Sequence, residues 1–548
     1  MQQHHRGEAK ANSFIGGATM LALAGLVGKV IGAVYRIWLT GLIGAEGVGI
    51  YQKAYPVYAF LLVISSAGIP IAISKLVSER VSQGDERGAR HVFQVAYRLL
   101  LGIGAITSVA LYLSAGLIAQ AYNDPSSVWC FRLIAPSLLL VSLLSAYRGY
   151  YQGRQIMRPT AVSQVIEQIG KLAAGYVLIR LFLPYGLAWG AAGAILGITA
   201  SEALALLYTM ALHARYRARA GRSLHEQRGR LGAQTQGAKT VLKRLLAIAI
   251  PITLGASIMP LVGNIDSALV VRRLMSIGFS LSEANTQFGA LTGIVNPLVN
   301  MPAVISLALS MSLVPALSAA VSAKNTALTK RTAKTGIKLA ILIGLPCAAG
   351  MFALALPIVR LLFGGRESDE TLRLAAGMLE TMAFGVLFLT LLQATTGILQ
   401  GIGRIFVPMM TLAIGAAVKI AVNYVLVGNP AIGVKGAPVG TLLCYGIAAV
   451  FNLVLALRAS GAAFRPMEML IKPLLATACM TAAVYAFISV AGGVSNTVLT
   501  LGGVAIGGLV YATMLVLLRV LNTDEWRMLP GGSRLVRMLG KLHLLPKA

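Results

Sequence analysis

The chain of 548 residues is 57% hydrophobic and only 12% charged, where a soluble domain carries about 25% charged residues. That is too little polar surface to cover soluble cores of this size, so a soluble fold is excluded and lipid is the expected solvent. The net charge of +29 sits mostly in short segments between apolar runs, which argues against nucleic acid and for anionic phospholipid headgroups as the partner of the basic loops.

Runs long enough to cross a bilayer are predicted near 13–40, 51–76, 92–121, 128–150, 160–183, 187–213, 244–272, 286–318, 336–358, 375–400, 405–427, 434–457, 470–491 and 496–519. The expected fold is therefore an all-α integral membrane protein of about fourteen transmembrane helices. The first run is too long for a cleavable signal peptide, and it contains Lys29 and Arg36. With the N-terminus inside, the inner segments carry 33 Lys and Arg and the outer segments 6, which places both termini in the cytoplasm of a multi-pass plasma-membrane protein. The four cysteines stand singly in apolar stretches, so neither a metal site nor another cofactor is expected.

The chain also repeats itself. Segment 151–178 aligns without gaps to 399–426, with identities at Gln152/Gln400, Gly153/Gly401, Lys171/Lys419 and Tyr176/Tyr424 among others. Segment 68–85 aligns to 308–325 at a similar offset, through Ser78/Ser318, Val81/Val321 and Ser82/Ser322. Six spans lie between equivalent points, and an even number preserves orientation. Two parallel six-helix repeats about an axis along the membrane normal are expected, with a substrate cavity between them. The predicted organisation is a lobe at 1–213, a basic cytoplasmic linker at 214–243, a second lobe at 244–458, two extra helices at 459–520 and a basic tail at 521–548.

Ionisable groups inside a membrane are costly and mark candidate sites. Lys29 and Arg36 are seven residues apart and share a helix face, with Gly28 and Gly32 beside them as a close-packing pair. Lys53 opens the second span. These cations suit a diphosphate, which Arg binds through two parallel hydrogen bonds and Lys as a point charge. Pro70, after Ser65, Ser66 and Gly68, predicts a break in the second span. Lys171 follows Glu167 by one turn, so an intrahelical ion pair is expected there. Arg98, Arg132 and Arg180 lie near helix ends and are expected to snorkel. Glu202 and Glu380 are lone carboxylates that could bind a coupling ion. Asp266, Arg272 and Arg273 cluster in the seventh span, where Asp266 suits an ion pair or a coupling ion. Asn296 and Asn300 flank Pro297, which predicts a broken helix whose freed carbonyls line a cavity. Lys419, equivalent to Lys171, has Gly415 where Lys171 has its glutamate.

The run GLVGKVIGAVYRIWLTGLIGAEGVGIYQKAYPVYAFLLVISSAGIPIAISKLVSERVSQGD resembles the N-terminal signature of the stage V sporulation protein B branch of polysaccharide exporters. That branch is grouped with the MurJ-type lipid II flippases, the Wzx flippases and the multidrug and toxin extruders. The resemblance implies an alternating-access flippase that moves an undecaprenyl-diphosphate-linked sugar lipid from the inner to the outer leaflet of a bacterial plasma membrane. It also implies a cationic central cavity and a lipid-tail groove formed by the last two helices. Lys29 stands where MurJ-type members have an arginine, Arg36 is shifted by one residue, and apolar residues near Ala59 and Phe60 replace arginines of their second span. On this reading the substrate-binding candidates are Lys29, Arg36, Lys53, Arg272, Arg273, Asn296, Asn300 and Lys419, and no residue is catalytic. The protein is expected to act as a monomer, driven by membrane potential, H+ or Na+. A cation-coupled drug extruder, a membrane glycosyltransferase or polymerase, and a non-transporting scaffold for envelope synthesis are the other classes weighed. The extruder requires a carboxylate-lined cavity, and the enzyme requires large interfacial loops.

Overall fold

The computed structural model describes residues 2–66, 68–224, 237–491 and 493–521; for 2–24, 26, 29, 30, 33, 217–224 and 259 it describes the backbone alone. Among the described residues there is no strand. The helices are α1 (Gln2–Ser66), α2 (Ile69–Ser82), α3 (Glu86–Ala121), α4 (Val128–Gly153), α5 (Arg158–Phe182), α6 (Leu187–Leu224), α7 (Ala238–Ser276) and α8 (Leu281–Gly289). They continue with α9 (Asn296–Ser322), α10 (Thr326–Ala353), α11 (Ala355–Phe363), α12 (Asp369–Gly401), α13 (Phe406–Val427), α14 (Gly436–Ser460), α15 (Lys472–Val490) and α16 (Asn496–Leu517). Twelve stretches of described residues are long and apolar enough to cross a membrane.

The chain divides into two compact units, Met1–Gly289 and Ala290–Ala548. The division falls beyond the 214–243 linker, because α7 and α8 pack on α1. That packing is close at two glycines. A Cβ on Gly289 would overlap the carbonyl oxygen of Ala45, and one on Gly49 the carbonyl oxygen of Asn285. Gly289→Ala is therefore expected to cost about 3 kcal/mol by forcing two backbones apart, read as a lowered unfolding midpoint of the purified protein.

The first two predicted spans are not separated by a loop. Helix α1 runs through the segment and turns at Gly44, whose φ of 67° and ψ of 174° are available to glycine and costly to other residues. The apolar stretch Val34–Ser82 has 49 residues, or roughly 73 Å of helix at 1.5 Å per residue, more than twice the ~30 Å hydrocarbon core. The break expected at Pro70 lies between Ser66 and Ile69. Ser65 and Ser66 donate to the carbonyls of Leu61 and Leu62, and Thr253 Oγ1 accepts from the Gly68 amide. The interruption expected near Pro297 is a π-helical turn, Ala290–Val295, leading into α9, and Asn300 donates back to the Asn296 carbonyl at 2.7 Å.

The repeat is visible in the turns of each unit. Asp85 caps α3 by accepting from the Gly88 amide, and Asn325 caps α10 by accepting from Leu328. Each cap follows a residue with positive φ, Gly84 at 74° and Lys324 at 52°. The turns before α5 and α13 also match. Ile156 donates to Tyr151 and Arg404 to Leu399, after left-handed Gln155 and Gly403. Asp and Asn favour such caps because their short side chains satisfy helix amides left without a partner.

Candidate functional site

The bend at Gly44 places two stretches of α1 side by side, and both carry tyrosines. Tyr51, Tyr55 and Tyr58 recur at helical spacing on the second stretch, while Tyr35 and Arg36 lie on the first. The Arg36 guanidinium lies 5.7 Å from the Tyr51 ring centre and 5.9 Å from that of Tyr55. From α5, the Lys171 ammonium lies 5.0 Å from the Tyr35 ring and 5.5 Å from the same Tyr55 ring. Both cations thus lie against the Tyr55 ring, at most about 11.4 Å apart, the sum of their distances of 5.9 and 5.5 Å to its centre. Aromatic faces attract cations without neutralising them. Helix α5 reaches this position beside glycine, since Gln168 lies against Gly28 and Gly32. The side chain of Lys29 is outside the described residues.

The intrahelical pair expected for Lys171 is not formed. Glu167 instead accepts from Arg148 of α4 at 2.9 Å. Among the described residues, no carboxylate lies within ion-pair distance of Lys171. One helical turn deeper on α1, the Tyr58 hydroxyl donates to Glu202 of α6 at 2.6 Å, and Ser137 of α4 donates to the other carboxylate oxygen. Glu202 is 2% exposed. The rings of Tyr55 and Tyr58 are 6.0 Å apart, which joins this carboxylate to the cation cluster.

Lys53 is in a different environment from Arg36. It is 0% exposed and donates at 2.6 Å to Asp124, which is also 0% exposed, in the turn between α3 and α4. Asp124 accepts in addition from the Asn285 amide of α8 at 3.3 Å and from Ser126. Burial opposes the charge on Asp124. The Lys53 ammonium and the hydrogen bonds from Ser126 and Asn285 outweigh it, so the carboxyl is held below the usual carboxylate range. The sequence-predicted anion ligand Lys53 is thus the buried tie that joins α1, the α3–α4 turn and α8.

The other candidates are dispersed. Arg272 is exposed and donates to the Ala121 carbonyl at the end of α3. Asp266 and Arg273 are half-buried on α7. In the second unit Lys419 is half-buried on α13, and Asn300 is spent on the Asn296 carbonyl. Glu380 is exposed on α12 and makes no ion pair or hydrogen bond with a described residue. Sequence reasoning missed Asp124, and also Lys338 of α10, which is 2% exposed. It passed over the tyrosine spacing in YQKAYPVY, the signal that locates the cation cluster.

Residues 14–321 match the polysaccharide biosynthesis protein family, and 269–425 match the MatE family. Stage V sporulation protein B of Bacillus subtilis (strain 168) is 27% identical over 96% of this chain and 99% of its own. Lipid II flippase MurJ of the same organism is 25% identical over 97% of this chain and 100% of its own. Among solved structures, lipid II flippase MurJ in an inward closed conformation superposes with a TM-score of 0.68 at 14% identity, covering 91% of this chain and 98% of its own. An inward-facing multidrug resistance MATE family transporter of the MOP superfamily superposes with a TM-score of 0.66 at 15% identity, covering 81% and 98%. These named neighbours are flippases and transporters rather than enzymes. With its apolar helices and its full-length relatives, the chain is a multi-pass bacterial membrane protein and a member of the polysaccharide biosynthesis protein family.

Proposed function

We propose that this chain is an alternating-access flippase for an undecaprenyl-diphosphate-linked sugar precursor of the cell envelope. The observation that carries the reading is the pair of cations, Arg36 and Lys171, held over Tyr55 in the first unit. From the bend at Gly44, Arg36 is eight residues and Tyr55 eleven residues along the helix, or roughly 12 and 16 Å at 1.5 Å per residue. That is mid-depth in a ~30 Å hydrocarbon core, where an ionisable group is costly and marks a functional site by default. A diphosphate crossing the membrane presents the complementary charge. Full-length similarity to stage V sporulation protein B and to lipid II flippase MurJ supports the same reading.

The topology we assign has fourteen crossings. The apolar stretch Val34–Ser82 spans the bend at Gly44 and so holds parts of two passes, and the charged helix α5 is added to the twelve apolar stretches. Both termini are cytoplasmic, following the inner bias of Lys and Arg. The two repeats form the lobes, with 459–520 as the extra pair, and the protein acts as a monomer. H+ is the coupling ion we assign, and Glu202 its site. Among the described residues this carboxylate has two neutral donors as hydrogen-bond partners, Tyr58 and Ser137, and an ionised group so placed is expensive. Facing it are Tyr58 and Tyr55 of α1 and Lys171 and Glu167 of α5. Glu202→Gln is expected to make transport insensitive to an imposed pH gradient while leaving the unfolding midpoint near wild type. Transport that still follows the gradient would remove Glu202 from the coupling.

Complementation tests the cargo. The chain should restore growth to cells depleted of their lipid II flippase, or restore polysaccharide export to cells lacking a capsule or spore-coat exporter. Failure in every such strain, with a normally inserted protein, would contradict the proposal.

A further inference from the structure

The structure points to a lipid site at the end of the first unit where α3 turns into α4. We propose that Arg132 binds the phosphate of an anionic phospholipid headgroup, with the acyl chains lying along α3. The reading does not depend on the transported cargo.

Arg132 lies four residues into α4, near the N-terminal end of the apolar stretch Pro125–Gly153, and the end of such a stretch is expected near headgroup level. Its guanidinium is boxed between two rings, 5.7 Å from the centre of Tyr112 on α3 and 5.3 Å from that of Trp129. Trp129 is in turn stacked on Trp189 of α6, with ring centres 5.2 Å apart and planes 28° apart. The box fixes the guanidinium plane and leaves its N–H edge as the reactive feature.

That edge has no partner among the described residues. The Arg132 Nε is buried, so the reachable donors are the two Nη groups, and Arg132 makes no hydrogen bond or ion pair with any described residue. The carboxylate nearest in sequence, Asp124, is occupied by Lys53. The pair of Nη groups matches a phosphate through two parallel bonds. No described carboxylate pairs with Arg132, so a headgroup of net negative charge is favoured over a zwitterionic one. Trp and Tyr are the rings that favour this depth. Deeper along α3, Ile106, Val109 and Leu113 form an exposed apolar track, with Leu113 at 75%, suited to acyl chains descending from the headgroup. The same phosphate chemistry is carried by the diphosphate of a polyprenyl lipid. The diacyl phospholipid is the source argued here, because the box is on the exposed surface of α3 and α4.

The test uses native mass spectrometry of the purified full chain with added phosphatidylglycerol or phosphatidylcholine, together with unfolding midpoints. Wild type should retain phosphatidylglycerol in preference to phosphatidylcholine and be stabilised by it. Arg132→Gln should lose one bound phosphatidylglycerol, with retention weakened about tenfold, the scale of a lost charge-assisted contact. Trp129→Ala opens one wall of the box and should weaken retention in the same direction, so the test survives if the arginine variant does not fold. Equal retention of the two lipids by wild type, or unchanged retention in both variants, would overturn the proposal. Displacement of phosphatidylglycerol by undecaprenyl diphosphate in wild type but not in Arg132→Gln would also overturn it, by assigning the site to a different lipid.

Discussion

Replacing Lys53 with Met is expected to destabilise the protein by about 3–5 kcal/mol, because it leaves the carboxylate of Asp124 buried without its cation. Asp124→Leu should cost a similar amount by leaving Lys53 buried. The double variant Lys53→Met/Asp124→Leu should be far closer to wild type, because replacing a whole buried pair by apolar groups of similar volume is often neutral. Unfolding midpoints of the four proteins form the cycle that measures this. The prediction rests on complete burial of both partners and their 2.6 Å separation. Strictly additive losses would show that the pair is not the unit. The pH dependence has a definite sign. The folded carboxyl of Asp124 titrates below its unfolded value of about 3.9. Its contribution is therefore fully present above that value and is lost as pH falls through it toward the folded value. The double variant should lack this acid-sensitive component.

The second large effect concerns transport rather than stability. Arg36→Ala and Lys171→Ala should each weaken productive binding of the diphosphate lipid by roughly 10- to 100-fold, the scale of a lost hydrogen bond to a charged group. For Lys171→Ala the unfolding midpoint should change little, because Lys171 makes no ion pair with any described residue. Lys171→Arg should retain much of the activity, whereas Lys171→Gln should not. Initial rates of leaflet exchange against lipid concentration, at matched protein insertion, read the effect. Normal rates in both alanine variants would move the anion site elsewhere.

The sequence carried a good deal of this architecture, for identifiable reasons. Turn chemistry is local, so the repeat written in residues 68–85 and 308–325 reappears as the same capped turn at Asp85 and Asn325. Proline removes a donor wherever it falls, so the irregularities near Pro70 and Pro297 were legible. The segment between the first two runs reads as a loop, because GAEGVG is rich in glycine and carries a glutamate. It folds as helix with the reversal concentrated at Gly44. Tertiary partners were not legible. Asp124 is 71 residues from Lys53, and no local spacing announces it. Lys171 shows why spacing misleads: an i, i+4 pair is worth only about 0.3–0.5 kcal/mol. Arg148, 19 residues from Glu167 in sequence, takes that carboxylate instead. Lys171 then settles on rings brought by the bend in α1.

The functional reading reduces to one demand, that the chain move a diphosphate-linked lipid between leaflets. Reconstitution into liposomes with labelled undecaprenyl-diphosphate sugars on one side measures it directly. The proposed function predicts leaflet exchange well above protein-free vesicles, lost together in Arg36→Ala/Lys171→Ala. Absence of exchange with every such lipid, in vesicles where the same protein expels organic cations, would contradict it and favour the extruder.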